Sequence, residues 1–147
     1  MSKAKYLLVF ISIVFLSACS CKTGRVGPGN IPLAEAGSIL KDINFEFDSY
    51  ALSARAKGLI ENNYRFLEEN ENVIIKIEGH CDSRGTNEYN MVLGANRARA
   101  VYDYLRSLGL SQNRASTISY GEELPLVPGN DESAWSQNRR VHFEIIQ

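Results

Sequence analysis

The sequence predicts an α+β domain, an α/β sandwich of order βαβαβ(α)β whose four-stranded mixed sheet carries its helices on one face. Three observations predict it. Short β-branched or aromatic runs alternate with two long stretches of helical period. Those stretches are long enough to cross between strands, which implies at least partly parallel pairing with right-handed crossovers. One layer of helices against one sheet is the simplest way to bury both apolar faces.

The elements follow in order. Ile43, Phe45 and Phe47 alternate with Asn44 and Glu46, the pattern of a half-buried strand. Ser53 is placed to cap a helix running to about residue 70, with Ala56, Leu59, Ile60, Tyr64 and Leu67 at helical spacing. Residues 73–77 (VIIKI) are β-branched and compact, hence a strand. Residues 79–85 (GHCDSRG) read as a polar loop. A longer helix spans 86–108, stopped by Gly109. Residues 111–114 form a short turn and 115–120 a strand. After Pro125, Pro128 and Gly129 come a short helix over 131–138 and a final strand over 140–146.

The domain occupies residues 39–147; what precedes it reads as address and tether. Lys3 and Lys5 lead an apolar run over 6–16 (YLLVFISIVFL), which suits a signal-peptide core and is too short to span a bilayer as a helix. Leu16-Ser17-Ala18-Cys19 follows, similar to the lipobox after which bacterial lipoproteins are cut and lipidated. Residues 1–18 are therefore expected to be a lipoprotein signal peptide, and Cys19 the lipidated residue of a membrane anchor. A plain secretory signal is the alternative. Residues 19–38 carry several glycines and two prolines and read as a linker. About eighteen extended residues reach on the order of 60 Å.

The removed segment holds two of the chain's sixteen cationic residues and none of its seventeen acids, so the remainder has a formal charge of −3. That balance argues against a nucleic-acid partner. No cofactor or metal is called for: a set made of Cys21, His80 and Cys81 lacks a fourth ligand at sensible spacing. Cys21 and Cys81 are close enough in reach to pair in an oxidising compartment, without assured geometry.

The longer helix has an odd feature. Leu93, Ala98, Val101, Leu105 and Leu108 form one stripe, and Asn90 and Arg97 lie on the same stripe. An inward arginine needs an anionic partner, and Asp82, in the loop that leads into this helix, is the candidate. Two readings stand. Asp82 and Arg97 form an internal ion pair pinning loop to helix. Or they line an open pocket at the helix N-terminus, Asp82 for an ammonium and Arg97, bidentately, for a carboxylate.

From residue 45 onward the chain resembles the OmpA-like peptidoglycan-binding domain, and more narrowly the peptidoglycan-associated lipoproteins of the Tol–Pal system. The resemblance rests on residues 45–50 (FEFDSY), 77–90 (IEGHCDSRGTNEYN), Leu93-Gly94 with Arg97-Ala98, 118–123 (ISYGEE) and 135–141 (WSQNRRV). It implies a non-enzymatic outer-membrane protein that holds the meso-diaminopimelate of peptidoglycan stem peptides, with TolB-like and TolA-like proteins as partners. It implies Asp82 and Arg97 as main contacts. Asn90 and Leu93 shape the pocket, and Phe47, Asp48 and Ser49 add contacts from the loop after the first strand. Arg139 and Arg140 belong to the rim by resemblance, or else form a solvated pair ending the short helix. Cys81 departs from the usual threonine. Ser20, a non-acidic residue after the lipidated cysteine, implies the outer membrane.

Other readings are poorer. His80, Cys81 and Asp82 look catalytic when written out, but neighbours in an extended stretch point to alternate faces. A muropeptide-processing enzyme, or an OmpA-like wall anchor outside the Tol system, remains the alternative. Trp135 reads as packing and His142 as solvent-facing or at a sheet edge.

Overall fold

The computed structural model describes residues 39–146, so the readings for residues 1–38, the signal, Cys19 and the linker with Cys21, fall outside it. Among the described residues the elements are β1 (Ile43–Asn44), α1 (Ala54–Glu69), β2 (Ile75–His80), α2 (Asn87–Leu108), a 3₁₀ turn (Gln112–Arg114), β3 (Ala115–Gly121), α3 (Glu132–Asn138) and β4 (Arg140–Ile145). The sheet order is β1-β4-β2-β3. β2 and β3 are parallel, and β4 runs antiparallel to both β1 and β2. This is the expected mixed sheet.

Side chains that cap helices set their ends. Ser53 Oγ accepts from the Ala56 N–H at 3.1 Å, and Thr86 Oγ1 accepts from the Tyr89 N–H at 3.2 Å. Gly109 closes α2 with φ 119°, a conformation glycine takes without a Cβ penalty. Asp131 Oδ1 caps α3 by accepting from the Ala134 N–H.

The core lies between the sheet and the α1–α2 pair. Ile75 and Ile77 of β2, Val141 and Phe143 of β4, Ile43, Ile60, Leu67, Val101 and Leu105 are all buried in it. Lys76 and Glu78 point to the opposite face, where Lys76 pairs with Glu78 and with its cross-strand neighbour Glu144.

Two expectations about element limits change. β1 is two residues long, although the Phe45 N–H still bonds to the Arg139 carbonyl at 3.0 Å. The chain then leaves the sheet: Asp48 has φ 52°, and Phe47 is 55% exposed instead of following Ile43 and Phe45 inward. β2 starts and ends later than expected, taking in Gly79 and His80 that read as loop. The reason is the packing of α2. A Cβ on Gly79 would lie 1.9 Å from the Gly94 carbonyl oxygen, and one on Gly94 would lie 2.3 Å from Ser119 Oγ. Glycine at both positions lets the first half of α2 press against β2 and β3, which sets the height of Arg97 over the strand end.

Candidate functional site

The sequence after β2 and the start of α2 make the walls of a cavity of about 180 Å³, beside the loop that follows β1. Its lining includes Phe47, Asp48, Asp82, Asn90, Leu93 and Arg97, all expected at a site. Cys81, Arg84, Gly85 and Tyr89 line it too. Two carboxylates and two guanidiniums thus face one small space, a balance that suits a ligand with no net charge.

Arg97 is 0% exposed to solvent. Its Nε donates to the Ser49 carbonyl at 2.8 Å, Nη1 to the His80 carbonyl at 2.9 Å and Nη2 to the Glu46 carbonyl at 3.1 Å. Nη1 also reaches Cys81 Sγ at 3.4 Å, and the guanidinium stands 5.4 Å from the Phe45 ring centroid. Burial pulls its pKa below the ordinary arginine value, against the attraction of Cys81 and Asp82. Among the described residues no carboxylate pairs with it. The internal Asp82–Arg97 ion pair considered from the sequence is therefore not formed.

Asp82, 4% exposed, has other partners. Its Oδ1 accepts from the Arg84 backbone N–H at 3.1 Å and from Arg84 Nε at 3.2 Å. Its Oδ2 accepts from Arg84 Nη2 at 2.6 Å and from Arg139 Nη1 at 3.1 Å. Burial alone would raise the carboxyl's pKa, but the bonds from Arg84 and Arg139 outweigh it and hold the group below its usual value.

Asn90 closes the back wall: its Nδ2 donates to the Asp82 and Arg84 carbonyls and, at 2.5 Å, to Glu122 Oε2. At the mouth, the Tyr89 hydroxyl donates to Asp48 Oδ1. Ser49 contributes only through its carbonyl on Arg97, since its hydroxyl accepts from the Ala51 N–H.

The two adjacent arginines part company, and neither is at the rim or in solvent. Arg139 is buried behind Asp82, with Nε on the Phe45 carbonyl and Nη2 on Glu132. Arg140 is buried on the outer face of the sheet, 3.4 Å from Asp42. At the start of a strand successive side chains point to opposite faces. His80 and Cys81 diverge in the same way. His80 stacks on Tyr120 at 5.5 Å with both ring nitrogens buried and without a hydrogen bond, Nε2 standing 3.9 Å from Glu78, while the Cys81 thiol donates to the Asn90 carbonyl inside the site. Burial lowers the His80 pKa to about 4 and raises that of Cys81 to about 11, which suits neither a base nor a nucleophile. Cys81 is a free, buried thiol.

Arg84 was present in the sequence pattern without a role. Its guanidinium lies between two rings, 3.8 Å from the centroid of Phe47 and 4.2 Å from that of Trp135. Trp135 also donates from Nε1 to Ser83 Oγ. The i, i+2 spacing of Asp82 and Arg84 in a loop was the available signal.

The OmpA family model matches residues 44–139. The peptidoglycan-associated lipoprotein of Rhizobium meliloti is 49% identical over 99 residues, which are 67% of this chain and 56% of that protein, so the chain matches little more than half of it. That of Pasteurella multocida is 38% identical over 141 residues, covering 93% of this chain and 94% of the relative. Among solved structures, the peptidoglycan-associated lipoprotein of Burkholderia pseudomallei superposes with a TM-score of 0.69 at 36% identity, over 71% of this chain and 89% of that one. The C-terminal domain of Helicobacter pylori MotB gives 0.68 at 26% identity, over 73% and 84%.

Proposed function

For a chain that belongs to the OmpA family, and within it to the peptidoglycan-associated lipoproteins, we propose that the cavity holds the meso-diaminopimelate end of a peptidoglycan stem peptide without covalent change. One observation carries this reading. Arg97 is a wholly buried cation whose bonds go to three carbonyls and a thiol, and it borders a cavity with no anion placed on it. A buried charge in that state gains from a carboxylate ligand.

The site's chemistry matches that ligand. The free end of meso-diaminopimelate carries one ammonium and one carboxylate. Asp82 takes the first and Arg97 the second, while Asn90 and Leu93 fix the wall they lie against. Four of the five guanidinium N–H groups of Arg97 are already engaged. A carboxylate therefore receives the fifth, and gains a second bond only by displacing the weak contact to Cys81. A lysine at the same stem position supplies an ammonium and no carboxylate, which leaves Arg97 unpaired and disfavours that ligand.

With acyl chains on Cys19 in the outer membrane and this domain on the wall, the protein ties the two layers together within the Tol–Pal system. It thereby supports envelope integrity and cell division without acting as an enzyme. TolB-like and TolA-like proteins are its periplasmic partners. A lipid on Cys19, at the end of the lipobox-like segment 16–19, is the attachment proposed.

Cosedimentation tests the reading. The protein should pellet with diaminopimelate-type peptidoglycan and not with lysine-type, and Asp82→Asn or Arg97→Lys should stay in the supernatant. Pelleting of both variants with the diaminopimelate wall would remove the cavity from the account.

A further inference from the structure

The carboxylate assigned to the ligand's ammonium is already full. Asp82 has two oxygens with about four acceptor positions. Four donors occupy them: the Arg84 backbone N–H, Arg84 Nε, Arg84 Nη2 and Arg139 Nη1. An arriving ammonium has to replace one of these. The backbone N–H is fixed by the chain. Arg139 is buried and fastened at two further points, the Phe45 carbonyl at 3.0 Å and Glu132. The Arg84 side chain differs. It lines the cavity, keeps 30% of its surface in solvent, and its other carboxylate, Glu132, stands at 3.7 Å. The rest of its support is stacking between Phe47 and Trp135, and Phe47 is itself mostly exposed on the turn at Asp48.

We propose that Arg84 is a resident substitute for the ligand's ammonium, filling the cationic seat on Asp82 in the free protein and giving up its side-chain bonds when a ligand ammonium enters. The inference rests on the reading that Asp82 takes that ammonium. It makes Arg84 an affinity-determining residue. Arg84 keeps the Asp82 charge compensated while the site is empty, and every ligand must compete with it. The competition is modest, because a part-exposed guanidinium exchanges an ion pair for solvation.

The test uses a soluble muropeptide ending in meso-diaminopimelate, with its terminal amine free or N-acetylated, titrated into the whole protein. Arg84→Met keeps the aliphatic stem between the rings and removes the competing charge. It should bind the free-amine ligand about two- to fivefold tighter than wild type, the range of an exposed pair. It should leave the acetylated ligand unchanged, and Arg84→Lys should stay near wild type. In the wild type, the Arg84 Nε–H resonance should shift and lose exchange protection only when the free-amine ligand is added. Weaker or unchanged binding by Arg84→Met overturns the proposal, as does an Nε–H signal that does not respond to the ligand. The reading it rests on fails separately: Asp82→Asn would then bind the free-amine ligand as well as wild type does.

Discussion

Replacing Arg97 with methionine tests the structural half of the site before any ligand is involved. The side chain is wholly buried and ties Glu46, Ser49 and His80, so it joins the loop after β1 to the end of β2 through α2. Methionine retains the apolar stem and strips three carbonyls of their donor. The bond to the His80 carbonyl is buried, and an acceptor left unpartnered there costs about 1–3 kcal/mol; the bonds to the Glu46 and Ser49 carbonyls are part-buried and their loss costs less. Against that, the variant no longer buries a charge, a relief of several kcal/mol. The balance is a loss of about 2–4 kcal/mol, toward the upper end of single-substitution effects. For a domain near 100 residues each kcal/mol lowers Tm by roughly 4 °C or more. Thermal unfolding followed by circular dichroism should therefore show Tm falling by about 8–16 °C. Arg97→Lys keeps the charge and reaches fewer carbonyls, so its Tm should fall between the two while wall binding is lost. A methionine variant within about 2 °C of wild type would refute the reasoning, because the carbonyls would then not depend on Arg97.

Further outcomes follow from the same geometry. His80 is held neutral by burial with a pKa near 4, below its unfolded value of 6.5, so its contribution is complete above pH 6.5 and is lost as pH falls toward 4. That amounts to roughly 3 kcal/mol between the two limits, and His80→Phe should flatten this part of a stability profile measured by urea unfolding. His142 has the opposite sign, because Asp42 raises its pKa: its contribution is present below pH 6.5 and is lost as pH rises through the raised value, outside the His80 window. Gly79→Ala would force a methyl into the Gly94 carbonyl and should cost at least about 3 kcal/mol or prevent folding, read as loss of cooperative thermal unfolding. Thr86→Ala removes the cap beside the site and should lower stability by about 1 kcal/mol in the same urea assay.

Local rules made much of this fold readable. Ser53, Thr86, Gly109 and Asp131 each end a helix at the place their chemistry dictates, and the apolar stripe on α2 put Asn90, Leu93 and Arg97 on its buried side. The departures come from tertiary contacts. Phe47 continues an alternating pattern, and only the turn at Asp48 takes it outward. Gly79 is of a residue type that marks loops, yet it lies within β2 because α2 approaches there more closely than any Cβ allows. Asp82, in the loop leading into α2, is the acid the sequence pairs with Arg97, but Arg84 and Arg139 reach it first in space. Arg139, ninety-four positions from its Phe45 partner, gives no local sign of lying under Asp82.

The claim on which the account turns is that Asp82 and Arg97 together read a zwitterion. Isothermal titration of the protein with two stem peptides, identical except for meso-diaminopimelate or lysine at the third position, addresses it most directly. The account predicts measurable heat and saturation with the diaminopimelate peptide, and affinity for the lysine peptide at least about tenfold lower, the cost of leaving one buried guanidinium unpaired. Equal affinity for the two peptides would contradict it.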